Sequence, residues 1–148
     1  MPQDPTFRIA NPDGPGELIM IVDDDALVTL LVERVLTSEG YRIVTAPDGF
    51  RAVEIFKKIR DEVDLVITDF KMPGMDGAAL FEELKRINPN VNAALTSGFV
   101  EDEQRDAMMA RGLRGFIPKP MTQQKLLEKV RSILDAIHCD ARARQREQ

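Results

Sequence analysis

Short apolar runs alternate with amphipathic segments along the whole chain, and this alternation limits the fold more than any other feature. Leu18–Val22 and Leu65–Thr68 are almost wholly apolar, as strands buried on both faces are. The segments between such runs repeat apolar residues at helical spacing. Five strands that alternate with five helices predict a doubly wound parallel sheet with right-handed crossovers.

Turn residues and helical spacing set the boundaries of these elements. Predicted strands cover residues 18–22, 41–45, 64–68, 91–96 and 115–118, and predicted helices cover 25–39, 50–60, 78–88, 101–111 and the segment from about 122. Proline and glycine recur before residue 17, so residues 1–16 are predicted to be a flexible lead. Residues 17–138 are the predicted folded domain, and residues 139–148 are predicted to be a polar, frayed tail.

Composition excludes several classes of function. The net charge is −5 and tryptophan is absent, which argues against a nucleic-acid partner. No apolar run approaches about 20 residues, so no membrane segment is expected. His138 and Cys139 are the only residues of their types, so neither a zinc site nor a serine–histidine–aspartate triad is expected. We expect His138 to be a surface residue and not a phosphohistidine.

Three carboxylates and one ammonium group stand where strands of the predicted sheet end. Asp23 and Asp24 follow the first strand, Asp69 the third and Lys119 the fifth. In an open α/β sheet, ligands bind beyond the carboxyl ends of the strands. Clustered carboxylates raise one another's pKa, and a bound Mg²⁺ ion removes this conflict. The set therefore predicts a site for Mg²⁺ and a phosphoryl group, where a carboxylate can act as the nucleophile.

Single members of this set have simpler alternative roles. A helix begins near Asp25, so Asp23–Asp25 can be explained as a helix cap, although a cap needs only one aspartate. Asp69 alone can be explained as a turn residue before Met72-Pro73-Gly74. The ordered set at the strand ends favours the metal and phosphoryl site over either role.

These residues and their surroundings resemble the receiver domains of two-component response regulators, from about Leu18 to Ile137. The stretches that carry the resemblance are Ile21–Asp25, Asp64–Asp69 with Met72–Gly77, Leu95–Gly98 and Phe116–Pro120. The resemblance implies a flavodoxin-like (βα)5 three-layer sandwich with a parallel sheet of order 2-1-3-4-5. It also implies a protein that is phosphorylated by a partner and then switches an interaction face.

The resemblance assigns roles to the acidic cluster. Asp69 is expected to be the phosphoacceptor. Asp23, Asp24 and Asp69, with the backbone carbonyl of Lys71, are expected to bind Mg²⁺, for which Mn²⁺ is a possible substitute. Lys119 is expected to contact the phosphoryl group.

Further residues are expected to read the phosphoryl group or to tune its lifetime. Thr96 is expected to donate its hydroxyl to a phosphoryl oxygen. Phe116, where the family frequently has tyrosine, is expected to turn inward with it. Lys71 and Gly98 lie two residues beyond Asp69 and Thr96, where they are expected to tune the phosphoryl lifetime. The bond before Pro120 is expected to be cis.

The protein is expected to be cytoplasmic. Its expected partners are a histidine kinase or a histidine phosphotransfer protein, and an unidentified output protein on the 97–138 face. A phosphorylation-dependent dimer is a further possibility. The chain can be a stand-alone regulator or a receiver cut from a hybrid kinase. The alternative function is a haloacid-dehalogenase-like phosphatase using Asp23 and Asp25. Leu27, where that family has threonine or valine, and the lack of a cap domain count against it.

Overall fold

One sheet of six strands forms the centre of the molecule, in the order β1-β3-β2-β4-β5-β6. The computed structural model describes residues 7–98, 100–119 and 122–146. The strands are β1 Ile9–Ala10, β2 Leu18–Val22, β3 Arg42–Ala46, β4 Leu65–Asp69, β5 Ala93–Ser97 and β6 Gly115–Pro118. The five strands β2 to β6 are all parallel. Counted from β2 as the first strand, their order β3-β2-β4-β5-β6 confirms the predicted 2-1-3-4-5 arrangement.

Helices cover both faces of this sheet. They are α1 Ala26–Ser38, α2 Gly49–Ile59, α3 Gly77–Ile87, α4 Asp102–Ala110 and α5 Gln123–Arg146. Alternate residues of β2 separate the two cores, since Met20 packs with α2, α3 and α4 while Ile19 packs with α1 and α5. This is the three-layer arrangement that strands buried on both faces require. None of the described helices is both long and apolar enough to cross a bilayer.

An edge strand lies within the segment for which the sequence predicted only a flexible lead. β1 pairs antiparallel with β3, and Ile9 lies opposite Val44. The chain then turns through Asn11, whose φ is 56° and whose side chain donates to the carbonyl of Tyr41. Gly16 donates its N–H to the carbonyl of Gly40 at 2.9 Å. Residues 7–16 are therefore attached to the sheet.

Helix α5 continues through Arg146, where a frayed polar tail was expected from residue 139. Alanine and arginine favour helix in this stretch, and Asp140 pairs with Arg114 just before β6.

A second ionic cluster ties the middle of α5 to the beginning of β2. Glu17 accepts from Arg131 at 2.8 Å and lies 2.9 Å from Nε2 of His138, the predicted surface histidine. Burial opposes ionisation of Glu17, but these hydrogen bonds outweigh it and lower its pKa to about 2. Asp135 pairs with the same guanidinium from one turn along the helix. The cluster therefore fixes α5 against the edge of the sheet opposite the acidic residues.

Candidate functional site

Three carboxylates meet at the carboxyl edge of the sheet. β2 ends at Val22, so Asp23 and Asp24 follow it directly, and β4 ends at Asp69 itself. Carboxylate oxygens of Asp23, Asp24 and Asp69 all lie within 4.8 Å of one another. Asp23 is buried, Asp24 is exposed and Asp69 lies between these extremes. The structure thus brings together the acidic residues that the sequence predicted would meet.

Lys119 completes the cluster from the end of β6. Its Nζ lies 3.4 Å from Oδ2 of Asp23 and 3.3 Å from Oδ1 of Asp69. Its backbone N–H donates to the carbonyl of Ser97 at 3.0 Å, which continues the pairing of β5 with β6. One ammonium group therefore bridges two of the three carboxylates.

The electrostatics of this cluster favour a bound cation. Burial raises the pKa of Asp23, and repulsion from Asp69 raises it further. The N–H of Asp25 and the ammonium of Lys119 act in the opposite direction but do not cancel the rise. A site with three oxygen ligands and too little positive charge fits Mg²⁺ or Mn²⁺, which prefer carboxylate ligands. The residues present therefore fit a magnesium site.

Asp25 is the residue that caps helix α1. Its Oδ1 accepts from the N–H groups of Leu27 at 3.0 Å and Val28 at 3.3 Å, so this one aspartate caps α1. Asp23 and Asp24 are left for other roles. The capping geometry also counts against the phosphatase alternative, because that mechanism needs the Asp25 carboxyl as an acid beside Asp23.

A tight loop fixes the backbone beyond Asp69. Gly77, the first residue of α3, donates its N–H to the carbonyl of Phe70 at 2.8 Å. A Cβ atom at Gly77 would lie only 2.6 Å from the carbonyl oxygen of Asp69, so glycine is required for this close approach. Asp76 caps α3 by accepting from the N–H of Ala79 at 2.8 Å. The side chain of Lys71 is exposed on this loop.

The two predicted switch residues lie on neighbouring strands. Thr96 is buried and lies opposite Asp69 in the pairing of β4 with β5. Phe116 is also buried, and it lies opposite Leu95 in the pairing of β5 with β6. Gly98 is exposed beyond β5, and a Cβ atom there would meet nothing within 4 Å. The peptide bond before Pro120 falls outside the described residues.

An apolar groove beside the acidic cluster was not predicted from the sequence. It measures about 590 Å³ and lies between α1 and α5, and Lys119 lines one end of it. Leu27, Leu30 and Leu31 are all exposed on α1. The signal that was missed is local. Five of the seven residues from Ala26 to Val32 are leucine or valine, more than one buried helix face needs.

Comparison with known proteins points to the same family as the sequence motifs. The family model described as response regulator receiver domain matches residues 19–131. The chain is 34% identical over 124 residues to the chemotaxis protein CheY of Treponema pallidum, covering 83% of this chain and 86% of that protein. It is 30% identical over 119 residues to the sporulation initiation phosphotransferase F of Bacillus subtilis, covering 80% and 94%.

The chain also matches a longer relative and a solved structure. The chain is 34% identical over 117 residues to the sensor kinase CckA of Brucella abortus, covering 79% of this chain but only 12% of that protein. Among solved structures, the CheX–CheY–BeF3–Mg complex from Borrelia burgdorferi matches with a TM-score of 0.76 and 28% identity, covering 84% of this chain and 98% of that chain.

Proposed function

The chain belongs to the response regulator receiver domain family, and on that premise we propose that Asp69 is the residue phosphorylated by a histidine kinase or a histidine phosphotransfer protein. The chain is a phosphoacceptor receiver of two-component signalling. One observation carries the choice of residue. Asp69 is the carboxylate that ends the central strand β4, is partly open to solvent, and contacts Lys119 at 3.3 Å.

The transfer is a nucleophilic displacement at phosphorus. An Asp69 oxygen forms a bond to the phosphorus atom, and the bond between phosphorus and the donor imidazole nitrogen breaks. The electron pair of that bond stays on the imidazole nitrogen. Lys119 already lies beside Asp69 and Asp23, so its charge is in place to attract the phosphoryl oxygens.

Receiver domains generally bind Mg²⁺, and the acidic cluster fits such an ion. Asp23, Asp24 and Asp69 would hold it, together with the backbone carbonyl of Lys71, and Mn²⁺ would be a substitute. When bound, the ion supplies positive charge to the phosphoryl oxygens during transfer. Without the ion, burial and, to a lesser degree, repulsion from Asp69 raise the pKa of Asp23.

The phosphoryl group is read through Thr96 and Phe116. The Thr96 hydroxyl donates to a phosphoryl oxygen, and the ring of Phe116 takes its inward position as it does so. Burial of both residues between β5 and β6 supports this coupling. The 97–138 face then binds an output protein or a second phosphorylated copy. Lys71 and Gly98 border the path by which water reaches the phosphoryl group and tune its lifetime.

The phosphodonor covers the groove between α1 and α5. A protein donor must bring its histidine to Asp69, and Lys119 belongs both to the acidic cluster and to the groove. Leucine side chains exposed beside the site supply the apolar area that such a contact needs.

Domains of this family are generally phosphoacceptors and not enzymes. We assign this chain no reaction beyond its own phosphorylation and dephosphorylation. Its location is the cytoplasm, which the single free cysteine, Cys139, supports because unpaired thiols suit a reducing compartment.

Phosphorylation by a small donor tests the assignment of Asp69. Acetyl phosphate with Mg²⁺ should add one acid-stable, base-labile phosphoryl group, and Asp69→Ala or removal of the metal with chelator should abolish it. Asp61→Ala is the matched control, because Asp61 is exposed in the turn between α2 and β4, before the strand that Asp69 ends. Peptide mass spectrometry locates the group. Phosphate on a serine, threonine or histidine, with Asp69 unmodified, contradicts the proposal.

A further inference from the structure

A cation lies on the ring of the proposed switch residue. The guanidinium carbon of Arg105, on α4, is 4.8 Å from the centroid of the Phe116 ring. This is within the range at which an aromatic ring attracts a cation. Phe116 packs into the same core as Met108 and Leu113, so the ring that the guanidinium contacts is held in that core.

Helix α4 has few other attachments, so this contact matters to it. Met108 is its only buried residue, and its first turn carries Asp102 and Glu103. Arg105 is spaced correctly for an ordinary helical ion pair with Asp102 or Glu101. Within the described part of the chain, however, no carboxylate pairs with Arg105, and its guanidinium lies on the ring instead.

We propose that Arg105 is a positioning residue that stabilises the inward position of Phe116 and so connects α4 to the phosphorylation site. The contact can form only while the ring is covered by α4, so it favours that position over an outward one. A cation–π contact at a partly exposed site changes such an equilibrium about two- to fivefold. This inference rests on the proposed function, in which the phosphoryl group favours the inward ring.

Linkage then predicts a measurable effect at the acidic cluster. A phosphoryl analogue that favours the inward ring must bind more weakly when the inward ring is less populated. Losing the Arg105 contact should therefore weaken analogue binding by up to about fivefold, although Arg105 touches none of the cluster residues.

The contact itself is tested without any donor. In NMR spectra of the full chain, the side-chain protons of Arg105 should be shifted by the ring current of Phe116. The shift should disappear in Phe116→Leu. In Arg105→Ala, the Phe116 ring should show greater solvent exposure. Ordinary Arg105 shifts in the intact chain, or an unchanged ring in Arg105→Ala, would overturn the proposal.

The coupling is tested by a double-mutant cycle, in which beryllofluoride and Mg²⁺ are titrated into the unmodified chain and into each variant. Arg105→Ala should weaken binding, and Arg105→Lys should recover part of the loss because it keeps a cation. In the Phe116→Leu background, Arg105→Ala should have no further effect. An equal loss with and without the ring would show that Arg105 acts by another route and would overturn the proposal.

Two controls separate this proposal from its premise. Arg111→Ala removes the same charge at the end of α4 and breaks the pair with Glu82, so it loosens the helix without touching the ring. It should leave beryllofluoride binding unchanged, and a loss equal to that of Arg105→Ala would refute the ring contact as the cause.

The intact chain and Asp69→Ala together test the proposed function. If the intact chain binds no beryllofluoride, or binds it no better than Asp69→Ala does, the proposed function fails, while the NMR test still decides whether Arg105 contacts the ring.

Discussion

Removing exposed leucines from α1 should slow phosphorylation by a protein donor without affecting a small one. The variants are Leu31→Ala, which lines the groove, and Leu27→Ala, one turn before it on α1 and beside the groove. These side chains are 52% and 64% exposed and are not needed to fill the core. A protein donor that covers the groove would bury this apolar surface. Acetyl phosphate needs only the acidic cluster, so its rate should be unchanged.

The magnitude follows from the exposed area. Full burial of a leucine contributes about 1.5–3 kcal/mol, so covering the exposed half contributes roughly 1 kcal/mol for each side chain. Each substitution should lower kcat/KM for the protein donor about fivefold, and the pair about 30-fold if the effects add.

The assay first identifies the donor by profiling phosphotransfer from the kinases of the host, and then measures initial rates with that donor and with acetyl phosphate. Met109→Ala is the matched control, since Met109 is 44% exposed on α4, away from the groove. Equal slowing with both donors would place the effect in the acidic cluster. No slowing with the protein donor would refute the groove as its docking surface.

Two further predictions concern stability and signalling. Because the folded pKa of Glu17 is about 2 against an ordinary 4.5, its charge stabilises the fold above pH 4.5, and this contribution is lost as the pH falls towards 2. Glu17→Gln should lower the free energy of unfolding by about 1–2 kcal/mol at pH 7, less than the full shift implies because Arg131 is 44% exposed; urea unfolding at pH 7 and pH 2 checks that the difference disappears in acid. Beryllofluoride should shift backbone NMR signals of residues 97–120 more than those of residues 50–62, and Thr96→Ala should reduce that difference; an undiminished response would show that the signal leaves elsewhere.

The parallel sheet and the meeting of the acidic residues were predictable from the sequence. Strands buried on both faces leave continuous apolar runs, and parallel pairing brings the residues after Val22 and Thr68 to the same edge. The sequence alone could not separate the roles of Asp23 and Asp25. Their roles depend on which carboxylate reaches the N–H groups of α1, and the structure shows that it is Asp25.

Several of the unpredicted features depend on partners distant in sequence. Arg131 lies 114 residues from Glu17, and neither residue carries a local sign of the other. Strand β1 has only two residues, too few to show alternation. Helix α4 could be predicted as lightly attached from its charged first turns, but the choice of Arg105 between a carboxylate and a ring depends on the position of β6.

Strand β1 also decides where the chain can be shortened. The family match begins at residue 19, yet Phe7 and Ile9 pack against the core and β1 occupies the free edge of β3. A chain trimmed to the family boundary would leave the outer edge of β3 without a pairing strand, although β3 would still pair with β2 on its other side, and unpaired edges recruit strands from other molecules. Self-association of such a trimmed protein would then reflect a missing edge strand and would say nothing about dimers formed on phosphorylation.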